Sequence, residues 1–229
     1  MDFNNTKESY RNQIERSIAF TGKNLDYFTE VKADYLKKIV KKELPNISQP
    51  KLLDVGCGHG YMHSSLLKSG FDIVGVEVAD EVLPMAKALN KDVTYLSYDG
   101  ETLPFRDATF DVALAVCVMH HIAPNGWTNF VKELSRVLIP GGIAVVFEHN
   151  PFNPLTRYVV STNPIDKYAV LLPANKTRAL LRQSGLIDIV SKNILFTPWS
   201  AEIFRKLDER LGWCPFGAQY YAYGKVPNL

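Results

Sequence analysis

Apolar residues follow two rhythms along this chain. Over roughly residues 10 to 44 they recur at helical spacing (Tyr27, Phe28, Val31, Tyr35, Leu36, Ile39 and Val40), which predicts one or two helices. "LPNISQP" supplies a proline-bounded linker. From Lys51 onward, short apolar runs alternate with amphipathic ones. "KLLDVG", "FDIVGVEV", "VTYLSYD", "FDVALAVCVM" and "IAVVFEH" read as strands. Between them, "YMHSSLLKSG", "DEVLPMAKALN" and "GWTNFVKELSRVLIPGG" read as helices, the last closed by its proline and paired glycines. "GETLPFRDAT" carries no obvious helix. Such alternation predicts an α/β fold, a doubly wound parallel sheet covered on both faces, and the unbroken apolar run "FDVALAVCVM" suits a strand buried on both sides.

A proline-rich segment, "NPFNPLTRYVVSTNPIDKYAVLLPANK", then breaks the rhythm. After it come a helix around "TRALLRQSG", a strand "LIDIVSKNILF", a helix "AEIFRKLDERLG" and a last strand "AQYYAYGKV". Long loops inside compact domains usually serve a site, so this one is expected to cover one. The chain thus reads as a single domain: a helical cap over 1–45, a core over 50–150, a covering loop over 150–176, and the rest of the sheet over 177–229.

Composition changes this picture little. With 229 residues, 46% hydrophobic and 22% charged, the chain is long enough for one domain with a sizeable core. A net charge of +2 gives no electrostatic footprint for nucleic acid. The three cysteines, Cys57, Cys117 and Cys214, form no pair pattern and point to a reducing compartment. No signal-peptide core opens the sequence, and the longest apolar runs are far too short to span a bilayer. A cytoplasmic protein with a small-molecule partner, and neither nucleic acid nor membrane, is expected; nothing here bears on oligomeric state.

The chemistry begins at "LLDVGCGHG". Gly56, Gly58 and Gly60 follow the first strand, but the sixth position of a dinucleotide fingerprint counted from Gly56 is Tyr61, not glycine or alanine. Asp54, two residues before the loop, is electrostatically unwelcome beside a pyrophosphate. It suits a ligand with a nearby cation. S-adenosylmethionine fits, with its α-ammonium, its sulfonium and no phosphate. Glu77 ends the second strand, where an acid can accept both ribose hydroxyls. Asp99 follows the third, within reach of an adenine amino group. Three acids at the carboxyl ends of successive strands lie where open α/β sheets bind ligands.

In "LLDVGCGHG", "VGVE", "YDGETLPFRDATFDVALAVCVMHHI" and "ELSRVLIPGGIAVVFE", over about residues 50 to 150, the chain resembles the class I S-adenosylmethionine-dependent methyltransferases, specifically the small-molecule branch that includes the ubiquinone-type enzymes. The resemblance implies a Rossmann-like, seven-stranded, mostly parallel sheet with its last strand antiparallel and a helical N-terminal cap. By position it puts Asp54, Gly56 and Gly58 at the methionine end, Glu77 at the ribose, and Asp99, Gly100 and Glu101 at the adenine side. Cys57 and Val116 complete the expected cofactor-binding set. S-adenosylhomocysteine is the implied product.

Transfer from a sulfonium is an in-line displacement, and a hydroxyl acceptor must also lose a proton. Histidine suits that task. Of the five histidines, His121 in "MHHI" leads as base, followed by His120, with His149 in "FEHNP" in competition and Glu148 as its orienting partner. His59 reads as a local contact in the glycine loop and His63 as packing. Their spacing mimics a metal-ligand pair, but no carboxylate or cysteine cluster joins them, so no metal is expected. Arg157, in the covering loop, is the candidate for an anionic substrate group. An oxygen acceptor of sugar or secondary-metabolite type is expected, because an Asn/Asp-Pro-Pro-Tyr-type motif for nitrogen transfer is missing after the fourth strand. Carbon or nitrogen transfer, or a methyltransferase-like binding module without catalysis, are the alternatives.

Overall fold

The computed structural model describes residues 7–19, 22–197, 199 and 201–228. Two helices, α1 (Lys7–Ile18) and α2 (Leu25–Glu43), precede the sheet, and the Asn24 side chain caps α2 by accepting from the Tyr27 amide at 3.1 Å. The core alternates β1 (Lys51–Val55), α3 (His63–Leu67), β2 (Asp72–Glu77), α4 (Leu83–Leu89), β3 (Thr94–Ser97), β4 (Phe110–Val116), α5 (Trp127–Arg136) and β5 (Leu138–His149). It continues through α6 (Pro154–Thr162), α7 (Ala174–Gln183), β6 (Ile187–Ile194), α8 (Glu202–Arg210) and β7 (Gln219–Lys225). The seven strands form one sheet in the order β3-β2-β1-β4-β5-β7-β6, with β7 antiparallel to both neighbours. This is the doubly wound sheet with a reversed last strand.

Alternation along each strand divides the core in two. Leu53, Val55, Ala113, Ala115, Ala144 and Val146 bury on the face covered by α5 and α7; Leu52, Leu114, Ile143, Val145 and Phe147 bury on the face covered by α2 and α3. Each of the larger aliphatic or aromatic side chains among them contributes roughly 1.5–3 kcal/mol on burial, and β1 and β4 lie at the centre of the sheet. Their carboxyl ends open toward one edge of the sheet, between α2 and α6. Among the described residues no helix is long and apolar enough to cross a membrane.

Two elements differ from the sequence expectation. The helix expected to close on "IPGG" stops at Arg136, and Leu138–Gly142 joins β5. Val137 and Leu138 are drawn into the core, the Thr109 and Phe110 amides both donate to the Val137 carbonyl, and Gly141 donates to Val226 at 3.0 Å. Sheet hydrogen bonding thus outcompetes another helical turn. Within the covering loop, Pro154–Thr162 is helical: Asn153 accepts from the Thr156 amide at 2.9 Å and Pro154 occupies the first turn, a start signal hidden among prolines.

Candidate active site

A cavity of about 530 Å³ lies over the carboxyl ends of β1, β4 and β5. That is ample for a drug-sized ligand. Its walls carry Asp54, Gly56, Cys57, Gly58 and Val116 from the cofactor-binding set, and all three candidate histidines, His120, His121 and His149. Phe28 and Lys32 of α2 close one side; Leu155, Thr156 and Val159 of α6 close another.

At the glycine-loop end, Gly56 turns the chain with φ +73°, and a Cβ there would come within 2.5 Å of Val118. Gly60 leaves no room for a Cβ beside Tyr95 and His63. That space is used by a chain of polar contacts. Asp54 Oδ2 lies 2.9 Å from His63 Nε2, His63 Nδ1 lies 2.6 Å from the Tyr95 hydroxyl, and Asn90 Nδ2 donates to that hydroxyl at 3.2 Å. His63, read from sequence as packing, therefore orients Asp54. The other carboxylate oxygen, Asp54 Oδ1, is buried with no hydrogen-bond partner. Such an orphaned acceptor costs free energy unless a ligand satisfies it.

Lys32 supplies the opposite charge. It is 6% exposed and lines the cavity, and among the described residues its ammonium makes no ion pair or hydrogen bond. Sequence reasoning missed it, although a signal exists: Lys32 interrupts the apolar stripe Phe28, Lys32, Leu36 at four-residue spacing.

Glu77 and the adenine-side residues lie outside the cavity wall. Glu77 folds back on the loop, accepting from Gly58 at 2.9 Å and from Val78 and Ala79 at 2.8 and 3.2 Å. Asp99 is exposed and caps the turn that follows, accepting from the Glu101 and Thr102 amides at 2.8 Å; those two bonds hold its carboxyl below the ordinary range. Gly100 and Glu101 are exposed beside it. Arg157 sits on the outer face of α6, where it lines a separate depression of about 360 Å³. His59 lines the main cavity, stacked on Tyr61 with ring centroids 5.3 Å apart.

At the opposite end three imidazoles cluster. Cys117 adopts φ +57°, a left-handed conformation uncommon for a side-chain-bearing residue, and this swings Met119–His121 into a single 3-10 turn at the end of β4. Glu148 Oε1 accepts from the Met119 amide at 2.7 Å, and the Trp127 indole donates to the Met119 carbonyl at 2.9 Å, so the turn is locked. His120 Nδ1 lies 2.6 Å from Glu148 Oε2, and its ring is 4.1 Å from that of His121 and 5.0 Å from that of His149. Glu148 thus orients His120 and not His149, because successive residues of a strand project to opposite faces. His149 Nδ1 instead faces the Gln219 amide at 3.3 Å.

Asp166, on the turn after α6, joins the cluster from the covering segment. Its Oδ1 lies 3.5 Å from His120 Nε2 and 3.6 Å from His121 Nε2, while Oδ2 accepts from Asn163 at 2.8 Å. Burial opposes charge on His120, but Glu148 and Asp166 outweigh it and hold the imidazole well above its ordinary value. Burial, reinforced by the cationic His120, pushes His121 and His149 down to about 4. One charged ring is therefore flanked by two neutral ones. Burial also raises the Cys57 thiol, with Asp54 adding to the effect, so it is no nucleophile.

A doubly wound sheet with a glycine turn after β1 and a cavity over its strand ends defines a Rossmann-like α/β fold. Comparison narrows the class. A family model described as "Methyltransferase domain" matches residues 53–146. An uncharacterized methyltransferase of Synechocystis is 35% identical over 104 residues, 45% of this chain and 49% of that protein, so the chain matches only about half of that relative's length. A ubiquinone biosynthesis O-methyltransferase of Cereibacter sphaeroides is 28% identical over 193 residues, 77% of this chain and 76% of its own. Among solved structures, a SAM-dependent methyltransferase from Thermotoga maritima shares the fold with TM-score 0.66 at 20% identity, covering 95% of this chain and 96% of that one. Residues 53–146 thus match the methyltransferase domain, and the fold is the one that S-adenosylmethionine-dependent methyltransferases of known structure share.

Proposed function

We propose that this protein transfers a methyl group to a hydroxyl oxygen of a small-molecule acceptor held between α2 and α6. The observation that carries the cofactor part is the pair of unsatisfied opposite charges in one cavity, Asp54 Oδ1 and the Lys32 ammonium. An amino-acid zwitterion answers both: Asp54 takes the α-ammonium and Lys32 the carboxylate. Gly56, Cys57 and Gly58 bring backbone close to the ligand, Val116 contributes apolar wall, and Glu77, Asp99, Gly100 and Glu101 border the sugar and base side. S-adenosylmethionine bound there would supply an electrophilic methyl carbon to the acceptor oxygen and leave as S-adenosylhomocysteine.

The chain's own residues do the rest. His63 fixes Asp54 in its turn. The apolar walls, Phe28, Leu155, Val159 and Leu195, exclude water from the acceptor. The acceptor's proton leaves to one of the neutral imidazoles, His121 or His149, whose rings line the same cavity beside the charged His120. The ubiquinone biosynthesis O-methyltransferase relative supports oxygen as the acceptor atom. The test is incubation with methyl-labelled S-adenosylmethionine and a panel of phenols, catechols and sugar hydroxyls, read as labelled methyl ether. Label found only on carbon or nitrogen overturns the oxygen assignment; no binding of S-adenosylhomocysteine by calorimetry overturns the cofactor site.

A further inference from the structure

The histidine end of the cavity is more elaborate than proton removal requires. His120, His121 and Asp166 each offer one ligand atom, and these atoms all lie within 4.8 Å of one another. The two separations to Asp166 Oδ1, 3.5 and 3.6 Å, are too long for a well-formed hydrogen bond. They are close to the ~3.3–3.5 Å edges of a tetrahedron with metal–ligand bonds of about 2.0–2.1 Å. A second, independent feature is the partner behind His120. Its far ring nitrogen, Nδ1, is held at 2.6 Å by the fully buried Glu148, which fixes the ring with Nε2 directed at Asp166. A carboxylate behind an imidazole in this manner is the usual support of a metal-ligating histidine. Asp166 is supported in turn by Asn163 at 2.8 Å. All three residues line the main cavity.

We propose that His120 Nε2, His121 Nε2 and Asp166 Oδ1 form a binding site for one divalent first-row transition ion, open toward the cavity. Two imidazoles and one carboxylate suit zinc, iron(II), cobalt or manganese over magnesium or calcium, which prefer all-oxygen shells. Ligation displaces a proton from the triad, as histidine coordination requires. The role of the ion rests on the reading above. It ligates the acceptor hydroxyl oxygen as a Lewis acid and eases its deprotonation, and His149 remains outside the ligand set to take the proton. The oxygen then forms its bond to the methyl carbon as the carbon–sulfur bond breaks.

The experiment is a cobalt(II) titration of chelator-treated protein, followed by visible absorption and by calorimetry, with S-adenosylhomocysteine titrated into the same preparations. The expected result is one cobalt per chain at micromolar affinity or tighter, with d–d bands in the visible. His121→Ala and Asp166→Asn should abolish those bands, and Glu148→Gln should weaken binding by roughly 10–100-fold at unchanged stoichiometry. Asp166→Asn is nearly isosteric, and circular dichroism together with S-adenosylhomocysteine binding reports that each variant is folded. Absence of stoichiometric cobalt binding by the wild type, or cobalt bound equally well by His121→Ala and Asp166→Asn, overturns the site. Cobalt binding without S-adenosylhomocysteine binding leaves the metal site standing and overturns the cofactor reading; the reverse does the opposite.

Discussion

At the glycine-loop end of the cavity, Asp54 draws its main support, His63, from nine residues away, across a turn made by Gly56, Gly58 and Gly60. At the histidine end, His120 takes its support from Glu148, twenty-eight residues on, and meets Asp166 on a turn beyond α6. The first end hangs on β1, in the middle of the sheet. The second is completed only when α6 and its following turn dock. Asp54 and His63 come from one local segment and are preorganised before anything binds, whereas the histidine cluster depends on a covering element that can loosen on its own. Affinity for the cofactor should therefore reside at one end and chemistry at the other.

That division is open to direct attack. The largest effect is expected at the histidine end: His121→Ala should lower turnover by about 10²–10⁴-fold while leaving S-adenosylhomocysteine affinity nearly unchanged in calorimetry. A parallel loss of affinity would erase the distinction. Next comes Asp54→Ala. Removing one partner of a buried charge pair costs roughly 2–5 kcal/mol, so S-adenosylhomocysteine binding should weaken by at least about 30-fold while cobalt binding is kept.

Lys32→Met should weaken S-adenosylhomocysteine by roughly 10–100-fold, the worth of a charge-assisted hydrogen bond. An analogue lacking the methionyl carboxylate should bind wild type and variant alike; a difference between them would remove Lys32 from the cofactor's carboxylate. The smallest effect sharpens the argument most. Asn153→Ala removes the cap of α6 and should cost about 1 kcal/mol, a fall in Tm of about 2–4 °C. Hydrogen exchange should rise in α6 and around Asp166 and stay unchanged in the glycine loop.

The parallel sheet, the glycine turn and Asp54 beside it were legible in the sequence, because each is written in contiguous residues: apolar runs of strand length, glycines where φ must be positive, and an acid at a strand end. So was the presence of three histidines near the cavity, since "MHHI" and "FEH" each follow an apolar strand run. The end of α5 at Arg136 and the helix at Pro154–Thr162 were not, because sheet hydrogen bonds and a single Asn cap overrode the local proline and glycine signals. The pairing of side chains lay further out of reach. That His63 holds Asp54, that Glu148 turns to His120 and leaves His149 to Gln219, and that Asp166 closes the cluster depend on distances between segments, and a chain's order carries no record of those. Local sequence determined most of the strands and the residue types at their ends; only the packing of segments distant along the chain decided which charges meet, because burial and partner, and not residue type, set the state of a titrating group.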